Sequence, residues 1–272
     1  MPYVSTRLGR WFYEEHGDSS QKLAIVCLHG LLFDGGQWKE QVGPLSAIGR
    51  TIVLDGPGHG KSEVPPLFTL NDHADALADA LAELGVERAA LVGLSWGGML
   101  AMRFALRHRS MLLGMALLDT SAEREKPALR VRFRAFALFH EHVGIPYALY
   151  ARDIAPRMFG KATRRNKPDL VERTGRALLG FPRLGVARAA LAVVINRDSV
   201  LEELSRVQVE SLVVCGDEDR ATPLSKSRNL ARALGARLVV IASSGHMTAL
   251  ERPADVNAEL VPFLSGLLSS RA

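Results

Sequence analysis

Gly93-Leu94-Ser95-Trp96-Gly97-Gly98 stands at the junction of two kinds of sequence. Ahead of it, Ala89 to Val92 is an unbroken apolar run of strand type, and behind it Met99, Leu100 and Met102 start a helical pattern. A G-x-S-x-G in that setting predicts a strand, a tight strained turn and a helix, with the serine at the apex and small residues two positions either side so that the turn can approach its neighbours. A serine hydroxyl is a poor nucleophile at neutral pH unless it is exposed and given a base. Ser95 is therefore the candidate nucleophile; the alternative is an ordinary glycine-rich turn with a capping serine, and the rest of the chain must decide.

Outward from this turn, apolar strand-like runs alternate with helical patterns. Strands are expected near 23–28, 51–54, 89–93 and 114–118, with an opening hairpin over 3–16 around Gly9. Ala74, Leu77, Ala78, Leu81 and Leu84 recur at helical steps behind Thr69 and Asp72, which are spaced as a capping pair. After 205 the alternation resumes, with strands at 212–215 and 237–241, a helix starting near Pro223 and a last helix from about Pro253. This rhythm predicts an α/β class fold: a mostly parallel central sheet flanked by helices. Residues 121–205 break it with Arg-rich helical segments and no convincing buried strand, so we expect a core of 1–120 and 206–272 carrying a helical insertion.

The 272 residues, 47% hydrophobic and 23% charged, suit one main folded domain rather than a disordered chain. The longest apolar runs, such as Leu23 to Leu28 and Ala189 to Ile195, fall well short of the ~18 residues that span a bilayer, and the N-terminus lacks the apolar stretch of a secretory signal. A cytoplasmic protein with no membrane partner is expected. Cys27 and Cys215 each sit inside an apolar run and read as buried strand thiols, with no disulfide or metal role. Residues 120–200 hold 16 Lys/Arg against 7 Asp/Glu, an excess of 16 − 7 = 9. Aromatic interleaving is sparse there, so a solvated helical face is expected and no nucleic-acid partner.

A serine nucleophile needs a base, an acid to orient that base, and donors for the developing oxyanion. Trp96, directly after Ser95, offers one backbone amide. Cys27-Leu28-His29-Gly30-Leu31, at the end of an earlier strand, offers a second in Leu31, with His29 holding the loop. Of eight histidines, His246 is best placed as base, on a loop after the strand 237–241 and before Glu251-Arg252-Pro253. Asp219, beyond the strand 212–215, is the preferred acid over Asp217, and Asp119 after the strand 114–118 is a second candidate. The loop Asp55 to Ser62 ends His59-Gly60-Lys61-Ser62, the tail of a phosphate-binding loop, but Gly56 to Gly60 is one residue short of that motif, which argues against a nucleotide.

In order along the chain these elements read His29-Gly30, Asp55-x-Pro57-Gly58-His59-Gly60-x-Ser62, Gly93-x-Ser95-x-Gly97-Gly98, Gly216-x-x-Asp219-x-x-x-Pro223 and Gly245-His246-x-x-x-x-Glu251-x-Pro253. The set resembles the α/β-hydrolase superfamily, and within it the cap-bearing 3-oxoadipate enol-lactonases and small esterases. The resemblance implies an α/β-hydrolase fold, a triad of Ser95, Asp219 and His246, no metal and no cofactor, and a helical cap at 121–205 shaping an acyl pocket with Leu32 and Phe33. It implies hydrolysis of a small-molecule carboxylic ester or lactone through an acyl-enzyme. Ser95 stands where haloalkane dehalogenases and epoxide hydrolases carry aspartate, while Trp96 is more similar to proline iminopeptidases than to an enol-lactonase. Carbon–carbon bond hydrolysis, cofactor-free perhydrolysis and aminopeptidase activity would use the same triad, and a non-catalytic ligand receptor would keep the fold alone.

Overall fold

The computed structural model of the protein describes residues 2–269. Eight strands form one sheet: β1 (Tyr3–Thr6), β2 (Gly9–His16), β3 (Leu23–Leu28), β4 (Thr51–Leu54), β5 (Arg88–Leu94), β6 (Leu112–Leu118), β7 (Glu210–Gly216) and β8 (Arg237–Ile241). Their order is β1-β2-β4-β3-β5-β6-β7-β8, antiparallel at β1/β2 and β2/β4 and parallel from β4 to β8. The first hairpin and the remaining strands fall at the expected apolar runs, with β6 and β7 each starting two residues earlier than expected. Parallel strands covered on both faces are buried along their whole length, which is why β6 reads Leu-Leu-Gly-Met-Ala-Leu-Leu without a polar residue.

Alternation within each strand divides the core into two halves. Val26, Leu91 and Met115 face a cluster with Leu77, Leu81 and Phe104, supplied by helices α2 (Leu70–Glu83) and α3 (Trp96–Arg107), while α1 (Lys39–Ser46) covers the opposite face. Ile25, Cys27, Val92 and Ala116 face the other cluster with Trp38, Leu45 of α1, and Leu260 and Leu264 of the last helix, Pro253–Ser269. Each fully buried leucine of that helix contributes about 1.5–3 kcal/mol relative to exposure. The capping pair closes α2 as a reciprocal box, Thr69 accepting from the Asp72 amide and Asp72 from the Thr69 amide. Pro223 lies immediately before the helix Leu224–Leu234 rather than inside its first turn.

Between β6 and β7 the chain forms helices joined by short loops and no strand among the described residues, including α4 (Pro127–His142), Lys161–Asn166, Pro168–Leu179 and Arg183–Ala190. The apolar run Ala189 to Ile195 continues that last helix and packs into the first core cluster. Outgoing and returning strands of chain meet where Val200 N donates to Ala122 O at 2.9 Å. There the buried Arg197 guanidinium donates to Glu123 O and to Glu125 Oε1, the latter at 2.9 Å. No single helix among the described residues is long and apolar enough to cross a membrane.

Candidate active site

The loops that follow β3, β5, β6, β7 and β8 all leave the same edge of the sheet, the carboxyl ends of parallel strands, where open α/β sheets gather their ligand-contacting residues. Register keeps those ends level: Leu28 pairs with Gly93, Leu118 with Val214, and Gly216 with Ile241. Ser95 is the first residue beyond β5.

Ser95 has φ 52° and ψ −109°, in a region that non-glycine residues avoid at a cost of about 1–3 kcal/mol. Four bonds hold it there. Ser95 N donates to Leu118 O at 2.9 Å, Thr120 Oγ1 donates to Ser95 O at 2.7 Å, Met99 N donates to the same carbonyl at 3.0 Å, and Gly97 N donates to His29 O at 3.1 Å. The glycine requirement of the motif is steric at Gly97, where a Cβ would overlap the Leu28 carbonyl. Ser95 is partly exposed while its neighbours Leu94 and Trp96 are buried, and among the described residues its hydroxyl has no protein hydrogen-bond partner. The side chain thus points out of the turn.

Beside it, the amides of Leu31 and Trp96 are left over. Phe33 N donates to Gly30 O, Leu32 N to His59 Nε2 at 3.3 Å, and Gly97 N to His29 O, whereas among the described residues Leu31 N and Trp96 N donate to no protein acceptor. Trp96 is the first residue of α3, whose N-terminal amides have no intrahelical acceptor and carry the positive end of the helix dipole. His29 braces the loop from the other side: its Nδ1–H donates to Gly30 O at 2.8 Å and its Nε2 accepts Gly56 N at 2.7 Å. Both His29 and His59 therefore act as neutral imidazoles. Burial lowers the pKa of each, that of His59 to about 3, with the nearby His29 adding to the shift. Leu32 adopts φ 72° and is half-buried with Leu31. Phe33 is buried in the core cluster that holds Trp38 and Leu45, and with Leu32 it lines one wall of a 660 Å³ groove whose other wall is the helix Pro168–Leu179.

His246 and Asp219 meet directly, Nδ1 to Oδ2 at 2.9 Å, with both side chains buried. The acid is fixed in turn by Ala221 N and Thr222 N on Oδ1, at 2.8 and 2.9 Å, and by Thr222 Oγ1 on Oδ2 at 2.8 Å. Burial alone would lower the His246 pKa, but the Asp219 charge and hydrogen bond, with the charges of Asp119 and Glu251, raise it above its ordinary value. With Nδ1 committed to Asp219, Nε2 is the nitrogen free to exchange a proton. Among the described residues no hydrogen bond joins it to Ser95 Oγ.

Asp119, the second candidate acid, is engaged elsewhere. Its Oδ1 accepts Gly216 N at 3.0 Å and its Oδ2 accepts Thr248 N at 3.1 Å and Thr248 Oγ1 at 2.6 Å. It is fully buried, and burial followed by the Asp219 charge pushes its pKa well up. Among the described residues Asp217 accepts only Ser244 N, at 3.2 Å. The closest grouping of potential metal ligands among the described residues is Asp119, Cys215 and Asp219, all buried. Their oxygens are turned to the N–H and O–H donors just named, and burial raises the Cys215 thiol so that it stays protonated.

Thr222 and Thr120 were not singled out by the sequence reading. Thr222 has a detectable signal, since an aspartate followed three residues on by threonine is a common local side-chain-to-backbone turn. Thr120 has none, because its bond to Ser95 O spans 25 residues.

A family model described as the alpha/beta hydrolase family matches residues 25–259. Among curated proteins, 3-oxoadipate enol-lactonase 1 of Acinetobacter baylyi is 23% identical over 98% of this chain and 96% of its own. Among solved structures, a thermophilic esterase from Thermogutta terrifontis superposes with a TM-score of 0.90 at 30% identity, covering 97% of this chain and 98% of that one. The enol-lactonase from Burkholderia xenovorans LB400 gives 0.89 at 26% identity, covering 97% and 100%.

Proposed function

The chain belongs to the alpha/beta hydrolase family, and on that footing we propose that it hydrolyses small carboxylic esters or lactones through an acyl-enzyme on Ser95. The observation that carries this reading is the Asp219–His246 pair on the loops after β7 and β8, facing the edge of the sheet where Ser95 stands out of its positive-φ turn.

In the first half-reaction His246 Nε2 takes the Ser95 proton as Oγ attacks the carbonyl carbon. Asp219 holds the Nδ1 proton and stabilises the imidazolium. The carbonyl oxygen becomes an oxyanion received by Leu31 N and Trp96 N, the two amides with no protein acceptor; losing one such donor commonly slows a reaction about 10²- to 10³-fold. The imidazolium returns its proton to the leaving alkoxide, which departs as an alcohol, or stays tethered as a hydroxyl when the substrate is a lactone. Water then attacks the acyl carbon by the same route, releasing the acid and restoring Ser95–OH. Each step balances without a cofactor.

The helical segment 121–205 acts as a cap, and Leu32 and Phe33, on the loop that carries the Leu31 amide, provide apolar surface for the acyl group. The likeness to an esterase and to enol-lactonases supports ester or lactone as the substrate class. The test is labelling by a fluorophosphonate together with turnover of short p-nitrophenyl esters and of lactones. Wild type is expected to label and turn over, and Ser95→Ala to do neither; retained turnover in Ser95→Ala would overturn the proposal.

A further inference from the structure

Glu251 closes the last of the sequence motifs, and the mechanism above gives it no task. Its side chain is 1% exposed, in a place where a carboxylate needs several donors to persist. It has them from two different parts of the chain. Oε1 accepts Gly245 N at 2.8 Å and Met247 N at 3.2 Å, the amides on either side of His246. Oε2 accepts Gly160 N at 2.8 Å, at the start of the helix Lys161–Asn166, and the Thr163 hydroxyl of that helix helps to lower the pKa of the same carboxylate.

One carboxylate can reach both because the two segments touch through glycines. A Cβ at Gly245 would overlap Gly160 N, and a Cβ at Gly160 would lie 3.0 Å from Gly245 N. Parallel bonds run beside it: His246 N donates to Met158 O at 2.9 Å, and Lys167 Nζ donates to Glu251 O at 3.0 Å.

We propose that Glu251 is a positioning residue: it fastens the loop presenting His246 to the cap segment 158–163, so that the cap and the base keep one fixed relation. The proposal rests on the hydrolase reading only for its consequence in turnover. Burial pushes the Glu251 pKa up and its donors oppose that shift. Three backbone N–H groups converge on the two oxygens, a set that a carboxylate satisfies and a Gln amide does not, because its NH₂ would face an N–H group. Glu251 also adds negative charge beside His246, together with Asp219 and Asp119. Facing Glu251 itself are Lys167, His246 and, across Gly160, Glu218.

Two variants separate the parts of this arrangement. Glu251→Gln removes the charge and disrupts both sides, while Gly160→Pro keeps the charge but deletes the cap-side N–H, at a residue whose φ of −62° suits proline, and adds a Cβ that presses on Gly245 N. Hydrogen exchange is expected to accelerate in both segments, 156–163 and 243–248, in each variant. Fluorophosphonate labelling of Ser95 is expected to slow about 10- to 100-fold, the scale set by small misplacements of a reacting group. The acid limb of the labelling rate should move to lower pH in Glu251→Gln, where His246 loses a neighbouring anion, and stay in place in Gly160→Pro. Wild-type exchange over 243–248 in both variants, or an acid limb unmoved in Glu251→Gln, would overturn the proposal. Absence of wild-type labelling would instead refute the hydrolase reading, with the exchange comparison still deciding the linkage.

Discussion

Asp119 and Asp219 bring carboxylate oxygens within 4.8 Å of each other in the interior, yet only Asp219 bonds the imidazole of His246. Asp119 instead ties Gly216 at the end of β7 to Thr248 beyond His246. The two acids should therefore fail differently. Asp219→Asn is expected to lower kcat by about 10⁴, because the imidazole loses the partner that sets its tautomer. Asp119→Asn leaves one buried donor facing an NH₂ group and is expected to cost about 1–3 kcal/mol of stability, with a smaller loss of kcat. Steady-state kinetics and urea melts of both variants check the distinction.

His246 titrates above its ordinary value, held up by Asp219 against the effect of burial. As a base it works only when neutral, so kcat/KM should fall as pH drops below that raised pKa, placing the acid limb above the unperturbed value of about 6.5. The folded-state pKa being raised, the charged pair adds stability below about 6.5 that is lost as pH rises through the folded value. A pH–rate profile with an acid limb below 6.5 would contradict this.

His59 and His29 give the opposite dependence. His59 is lowered to about 3 by burial and by His29, and His29 is itself lowered by burial, so the native state refuses protons that the unfolded chain accepts below about 6.5. Their contribution is present above that pH and is lost as pH falls toward 3. Urea midpoints measured between pH 7.5 and 4 should decline steadily, and less steeply in His59→Gln, where one such proton is removed. Equal slopes would count against it.

Arg197 and Glu125 form an ion pair with side chains 3% and 12% exposed, where the helical segment between β6 and β7 leaves and rejoins the sheet. Lys226 adds a second cation at 2.7 Å from the same carboxylate oxygen. Removing one partner from such a site commonly costs about 3–5 kcal/mol. Arg197→Ala should lower the melting temperature accordingly, and a thermal melt with wild-type behaviour would exclude a structural role for the pair.

Much of this architecture is legible before any coordinates. β3 and β4 coincide with their apolar runs because both are buried almost throughout, and the half-exposed edge strand β8 coincides with its run because Arg237 and the turn after Ile241 bound it. β6 extends two residues earlier than expected, to Leu112, since Leu112 and Leu113 are as apolar as the rest and only the turn at Arg109–Met111 bounds them. The positions of Ser95, Asp219 and His246 follow from loops that each succeed a strand. What sequence cannot supply is the direction in which a carboxylate turns once inside: Asp119 and Asp219 both follow strands, and long-range donors, Thr248 for one and Thr222 with His246 for the other, decide between them. Phe33 is similar, an apolar residue assigned to the pocket that also belongs to the core beneath it.

The bond from Val200 N to Ala122 O has a practical corollary. A segment of nearly eighty residues begins and ends at neighbouring points, so its removal leaves a gap that a short peptide linker can bridge without altering the spacing of β6 and β7. Exchanging the segment between these two points for that of a relative should keep the register of β6 and β7, provided that Ala189 to Ile195, which pack into the core, and Met158 to Gly160, which bond the His246 loop and Glu251, are retained.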